Sequence, residues 1–144
     1  MDLYQLLRQD HLKAKRLFER LGEAGQATNA RTQLFEELKQ ELELHIEVEE
    51  RHLYPALEGN DEAHDLVEEA IEEHDEVRRL LEELDQAEQD SDDWGAQLAE
   101  LQEEVEFHVE EEETELFPLA QQLLDKAKAE AIARAIEHDK AKAR

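Results

Sequence analysis

Two short segments carry the residue types of a metal site. His45 and Glu49 stand four apart, as do His108 and Glu112, and each pair runs on into a Leu-aromatic-Pro end, Leu53-Tyr54-Pro55 and Leu116-Phe117-Pro118. Residues four apart share one face of a helix, so each segment offers an imidazole and a carboxylate to the same neighbour. His11 and His74 add two more imidazoles. Each sits in an apolar stripe, with Leu7 and Ala14 on either side of His11 and Ile71 and Val77 on either side of His74. Imidazole with carboxylate suits iron, zinc, manganese or nickel, whereas calcium and magnesium want oxygen alone. His52 lies on the same stripe one turn past Glu49 and is a further possible ligand; Glu115 occupies the matching place in the second segment.

Burying four imidazoles and two carboxylates is costly unless each finds a partner. Mutual hydrogen bonding satisfies part of such a set, and metal satisfies it more cheaply. Six protein ligands exceed what one tetrahedral zinc uses. Two metals would take two histidines each, with Glu49 and Glu112 bridging and an oxo or hydroxo bridge from solvent between them. Open coordination positions would remain for a small molecule. Iron is favoured over manganese because histidine outnumbers carboxylate.

The elements that must position these residues repeat. A shift of 63 residues lays His11 on His74, His45 on His108, Glu49 on Glu112, and Leu53-Tyr54-Pro55 on Leu116-Phe117-Pro118. The repeat halves are residues 1–59 and 64–122, each a helical hairpin. Helix one is expected from about Asp2 to Leu21, stopped by Gly22 and Gly25. Helix two, capped by Thr28 or Asn29, continues to about Leu57. Gly59-Asn60-Asp61 separates it from helix three, which reaches about Gln89. Ser91 or Asp92 caps helix four, running to about Leu124. In antiparallel hairpins all four histidines come level. The fold class is therefore all-α, an antiparallel up-down four-helix bundle over residues 1–124, with a mildly basic C-terminal helix over 125–144 for packing or a partner. His64 and His138 fall off the stripes. Trp94 and Tyr4 are expected to pack in the core or near a helix end, Tyr4 with a chance of reaching the pocket.

Composition agrees. The 144 residues are 40% hydrophobic and 40% charged, with four Gly and two Pro, a mixture that favours amphipathic helix. A formal charge of −25 repels phosphate backbones and anionic lipid, so neither nucleic acid nor membrane is an expected partner. There is no apolar run of transmembrane length and no signal-peptide pattern, and a cytoplasmic location is the expectation. The absence of cysteine removes disulfides, thiolate zinc sites and iron–sulfur clusters.

The motifs Asp10-His11, His45-Ile-Glu-Val-Glu49, Glu73-His74 and His108-Val-Glu-Glu-Glu112, with their Leu-Tyr-Pro and Leu-Phe-Pro ends, resemble the hemerythrin-like HHE cation-binding domain over about residues 1–122. The resemblance implies a carboxylate-bridged di-iron site in a four-helix bundle. It also implies roles in binding oxygen or nitric oxide, sensing, iron handling or oxidative-stress defence. The chain departs from oxygen-carrying hemerythrins at Arg78, where those carry a fifth histidine four residues after the position of His74. A more symmetric centre follows, less suited to reversible oxygen carriage.

The expected function is a di-iron protein that binds or senses dioxygen, nitric oxide or peroxide without turnover as a dedicated enzyme. A ferritin-like iron oxidation and storage unit is the first rival; its Glu-x-x-His pattern fits once, at Glu49 and His52, and fails at Glu112 and Glu115. A helical interaction module that needs no metal is the second.

Overall fold

A computed structural model of the chain describes residues 1–25, 29–88 and 91–143. Helix α1 spans Leu3–Glu23 and α2 spans Asn29–Val48. A five-residue π turn, Glu49–Leu53, carries α2 on into α3, Tyr54–Leu57. Helix α4 spans Asp61–Gln86 and α5 spans Asp92–Glu111. A second π turn, Glu112–Leu116, leads into α6, Phe117–Leu123, and α7 spans Lys126–Ala143. Helices α1 and α2 pack as one hairpin and α4 and α5 as the other, which gives the expected all-helical bundle.

Local chemistry explains the boundaries. Asp2 and Gln5 form a capping box on α1: the Asp2 carboxylate accepts from the Gln5 amide at 2.8 Å and the Gln5 side chain accepts from the Asp2 amide at 3.0 Å. Gly22 lies inside α1, and the turn is made by Gly25, whose φ of 74° is one that residues with a Cβ rarely adopt. Asn60 caps α4, accepting from the amides of Glu62 and Ala63. Ser91 holds the N-cap position of α5, but its hydroxyl donates to the Glu88 carbonyl and caps nothing. Thr28, one expected cap of helix two, lies outside the described residues. So does Gln89, the expected end of helix three, and α4 closes earlier, at Gln86.

Both π turns end just before a proline, and proline explains them. A proline ring lacks the N–H of an i→i−4 bond and clashes with the carbonyl four residues back. Pro55 and Pro118 would meet this conflict in an unbroken α-helix. Instead the Tyr54 amide donates to the Glu49 carbonyl, and the Phe117 amide to the Glu112 carbonyl, five residues back. Each widened turn starts at one of the paired glutamates and advances the register of the helix beyond it. Tyr54 and Phe117 therefore turn inward where a plain helix would carry His52 and Glu115.

Two apolar clusters bracket the polar layer. One gathers Leu17, Leu21, Phe35, Leu38, Leu81 and Trp94 towards the α1–α2 and α4–α5 turns. Trp94 is fully buried, and its indole N–H donates to the Leu84 carbonyl at 3.2 Å. The other cluster joins Leu3, Leu7, Leu53, Leu57, Val67 and Phe117 at the opposite end. Helix α7 contributes Ala133 and Ile136 to this second cluster, so the C-terminal helix packs on the same core as the bundle. Among the described residues no helix is long and apolar enough to cross a membrane.

Candidate metal centre

The four histidines meet between the two clusters, as the levelling of the hairpins predicts. Ring centroids of His11 and His45 lie 4.9 Å apart, and those of His74 and His108 lie 4.6 Å apart. All four rings are buried, and so are Glu49 and Glu112. Two groups of potential ligand atoms result, one of His11, His45, Glu49 and Glu112, the other of His74, His108, Glu49 and Glu112. Within each group the atoms lie within 4.8 Å of one another. The two carboxylates are common to both. One Glu49 oxygen lies 3.0 Å from His45 Nε2 and 3.3 Å from His74 Nε2. The two Glu112 oxygens lie 3.1 Å from His11 Nε2 and 3.4 Å from His108 Nε2.

Each histidine is oriented by a carboxylate on its outer nitrogen. Asp10 stands next to His11 in the chain yet lies 2.8 Å from Nδ1 of His45, and Glu73, next to His74, lies 2.6 Å from Nδ1 of His108. Glu113 and Glu50 reach across to the other hairpin, to Nδ1 of His11 at 2.5 Å and Nδ1 of His74 at 2.8 Å. A carboxylate on Nδ1 draws the proton there and leaves Nε2 as a free donor aimed at the centre. The Nε2 atoms of His74 and His108 face each other at 3.0 Å, close enough for one shared proton or one cation to lie between them. Among the described residues Oε2 of Glu49 is buried without a hydrogen bond, and the polar atoms beside Nε2 of His45 are carboxylate oxygens of Glu49 and Glu112. A buried carboxylate oxygen with a free lone pair, next to imidazole nitrogens, fits a divalent metal.

The charges respond to this crowding. Burial works against a charged His108, but Glu112 and Glu73 outweigh it and push its pKa up to about 10. Burial opposes charge on His45 as well, and Glu49 with Asp10 still carries it well above the ordinary range. Burial would raise Glu112, yet His108 and His11 hold it well below the ordinary carboxylate range. Without metal His108 and His45 are thus held protonated against their carboxylates, and a metal ion must displace those protons to bind.

Residues 2–120 match the model of the hemerythrin HHE cation-binding domain. The chain belongs to that family. A crystal structure of a hemerythrin HHE cation-binding domain-containing protein from Mycobacterium kansasii is similar to the fold at a TM-score of 0.88 and 25% identity, covering 99% of this chain and 87% of the other. No curated protein matches the chain significantly.

Of the residues singled out in this HHE chain, His11, His45, Glu49, His74, His108 and Glu112 come together in the two groups. His52 does not. The π turn rotates it off the stripe, and its Nε2 lies 2.6 Å from Asp139 on α7. Tyr4 is buried against Phe117 and stops short of the polar layer. His64 and His138 are exposed. Tyr54 is the residue that sequence reasoning missed. Its hydroxyl donates to Glu112 at 2.7 Å and lies 3.2 Å from His74 Nε2. Burial and the two glutamates raise its pKa well above that of a free phenol, so it remains a donor. Phe117, its repeat partner, stacks on His11 and offers no hydroxyl. The signal was present in the difference between Leu-Tyr-Pro and Leu-Phe-Pro, although nothing in a regular helix would have turned those rings inward.

Helix α7 touches the centre through one outer carboxylate. The buried Lys140 ammonium bonds both oxygens of Asp10. Burial would raise Asp10, but His45 and Lys140 draw it down to about 2. Its counterpart Glu73 has acidic neighbours instead: Glu73 itself raises Glu111 to about 8, helped by burial and Glu69.

Proposed function

We propose that the domain holds two iron ions and binds a small molecule, dioxygen, nitric oxide or peroxide, beside them. His11 and His45 would hold one ion, His74 and His108 the other, and Glu49 and Glu112 would bridge. The observation that carries this reading is the sharing of both buried carboxylates by two histidine pairs. One metal ion would leave half the histidines unused. A metal-independent helical module would have no use for the unpartnered Oε2 of the buried Glu49.

A cavity of about 30 Å³ lies against the four imidazoles. Its remaining wall is mostly apolar, including Ala14, Leu42, Ile46, Val77 and Val105. A single water needs roughly 10–15 Å³ by such a measure, so the space suits a molecule of two or three atoms. Iron held by these histidines and glutamates would supply the coordination positions for such a molecule. The chain's own part is to fix the imidazoles through Asp10, Glu50, Glu73 and Glu113, to exclude bulk water with the apolar wall, and to hold a proton on Tyr54 next to Glu112.

Anaerobic iron loading followed by metal analysis tests the reading. Two irons per chain are expected, with an oxo-to-iron charge-transfer band in the near ultraviolet in air. His11→Ala and His74→Ala should each lose about one iron, and Glu112→Ala should lose both, since a bridging carboxylate serves each position. The iron-loaded protein should also melt above the metal-free one, because ligands that bind only the folded state stabilise it. A chain that stays metal-free under these conditions, or takes up one tight zinc in preference, would end the di-iron reading.

A further inference from the structure

The repeat makes each side of the centre a control for the other, and the two sides differ at three matched positions. On one side a groove of about 370 Å³ runs between α1 and α5 and is lined by His11, Lys15, Val105 and Val109. His11, Val105 and Val109 also line the small cavity beside the imidazoles, so this single layer of side chains separates groove from cavity. Val109 is only half-buried.

The matching place on the other side lies between α4 and α2. There Leu42 stands for Val105, Ile46 for Val109 and Arg78 for Lys15. Leu42 and Ile46 are larger and buried. Arg78 clamps Glu50 through two bonds, at 2.7 and 3.1 Å, and binds Asp75 at 2.9 Å. A bidentate guanidinium–carboxylate pair is the most rigid ion pair available to a side-chain closure. Lys15 makes no ion pair among the described residues, and Glu113, the counterpart of Glu50, is bonded only by His11 there. Val105 is buried as Leu42 is, so the contrast lies in side-chain size and in the ion pair: the α4–α2 side carries the larger residues and the clamp, and the α1–α5 side carries the groove.

We infer that a small neutral ligand reaches the centre by the α1–α5 groove, passing between Val105 and Val109, while Arg78 and Glu50 keep the opposite face shut. The inference rests on the proposed binding of a diatomic beside the metals. It gives Arg78, which replaces the histidine of oxygen-carrying relatives, a task of its own.

Two substitutions close the open side by different means. Val109→Trp fills the groove with an indole, and Lys15→Arg supplies the guanidinium that Glu113 lacks. Nitric oxide binding to the iron-loaded protein, followed by stopped flow, should slow about tenfold or more in Val109→Trp. Lys15→Arg, an exposed substitution that leaves the core untouched, should slow it less but in the same direction. Arg78→Ala should speed entry by opening a second face. Xenon saturation-transfer NMR on the metal-free protein gives a reading that needs no iron: exchange between bulk and cavity should slow in the same two variants. If iron or nitric oxide fails to bind at all, the functional proposal falls while the xenon exchange still judges the route. Wild-type rates in both Val109→Trp and Lys15→Arg, by nitric oxide or by xenon, would overturn it.

Discussion

Replacing Tyr54 with Phe removes one oxygen atom from the middle of the polar layer and should cost the metal-free protein about 2 kcal/mol. The hydroxyl donates to Glu112 at 2.7 Å, both groups are buried, and the acceptor is held ionised. A hydrogen bond to a charged, buried partner contributes roughly 1.5–3 kcal/mol. The ring itself should lose nothing, since Phe117 already fills the same place in the other half and stacks on a histidine as Tyr54 does. For a chain of this length about 2 kcal/mol corresponds to a drop of roughly 4–8 °C in melting temperature. Thermal melts of chelator-treated wild type and Tyr54→Phe measure it. A double-mutant cycle with Glu112→Gln then separates the bond from other effects, because the tyrosine should matter less once its acceptor is neutral. A Tyr54→Phe protein that melts within about 1 °C of wild type would refute the assignment of Tyr54 as a working donor.

Charge and the last helix offer further tests. His108 is raised from 6.5 to about 10, so in the metal-free protein its contribution to stability is complete below pH 6.5 and fades as pH rises towards 10. Glu112 is depressed and acts in the opposite sense, contributing above its ordinary 4.5 and losing that contribution as pH falls. Urea midpoints of the metal-free protein should therefore fall between pH 6.5 and 10, and a flat profile there would contradict the pairing. Lys140→Met leaves the Asp10 carboxylate with His45 as its remaining partner and should lower stability by about 2 kcal/mol, read by denaturant melts, with Asp10→Asn relieving part of the loss in the double variant. His52→Ala should keep two irons and an unchanged optical spectrum while loosening α7, which limited proteolysis of the C-terminus would detect.

The clustering of His11, His45, Glu49, His74, His108 and Glu112 was legible in the sequence because helix periodicity and an in-register repeat are both first-order signals. His11 and His74 fall on apolar stripes, and His45 and Glu49 share a face whatever the tertiary packing. The π turns were not legible. Proline announces a conflict with the helix, but whether the chain kinks, breaks or widens depends on what surrounds it. A regular helix would put His52 on the stripe, whereas the widened turn puts Tyr54 there and leaves His52 against Asp139. The outer carboxylates were hidden for another reason. Asp10 sits beside His11 and serves His45, and Glu113 sits beside Glu112 and serves His11 across the bundle. Such pairings are set by the distance between helices and not by spacing along one of them. The docking of α7 has the same character, since an alanine- and lysine-rich helix gives no hint of which lysine will be buried.

The crossing of ligands between hairpins has a consequence for how such a domain can arise and be taken apart. The first hairpin owns His11, His45 and Glu49, but each ligand group also needs Glu112 from the second. Neither half alone can complete a group, and His11 and His74 each depend on a carboxylate from the opposite hairpin. Two copies of one hairpin related by a twofold axis would supply every one of these roles. One chain thus carries the roles that two identical hairpins could supply as a pair. In one chain the two faces need not match, and here Lys15 lines a groove on one while Arg78 binds Glu50 on the other.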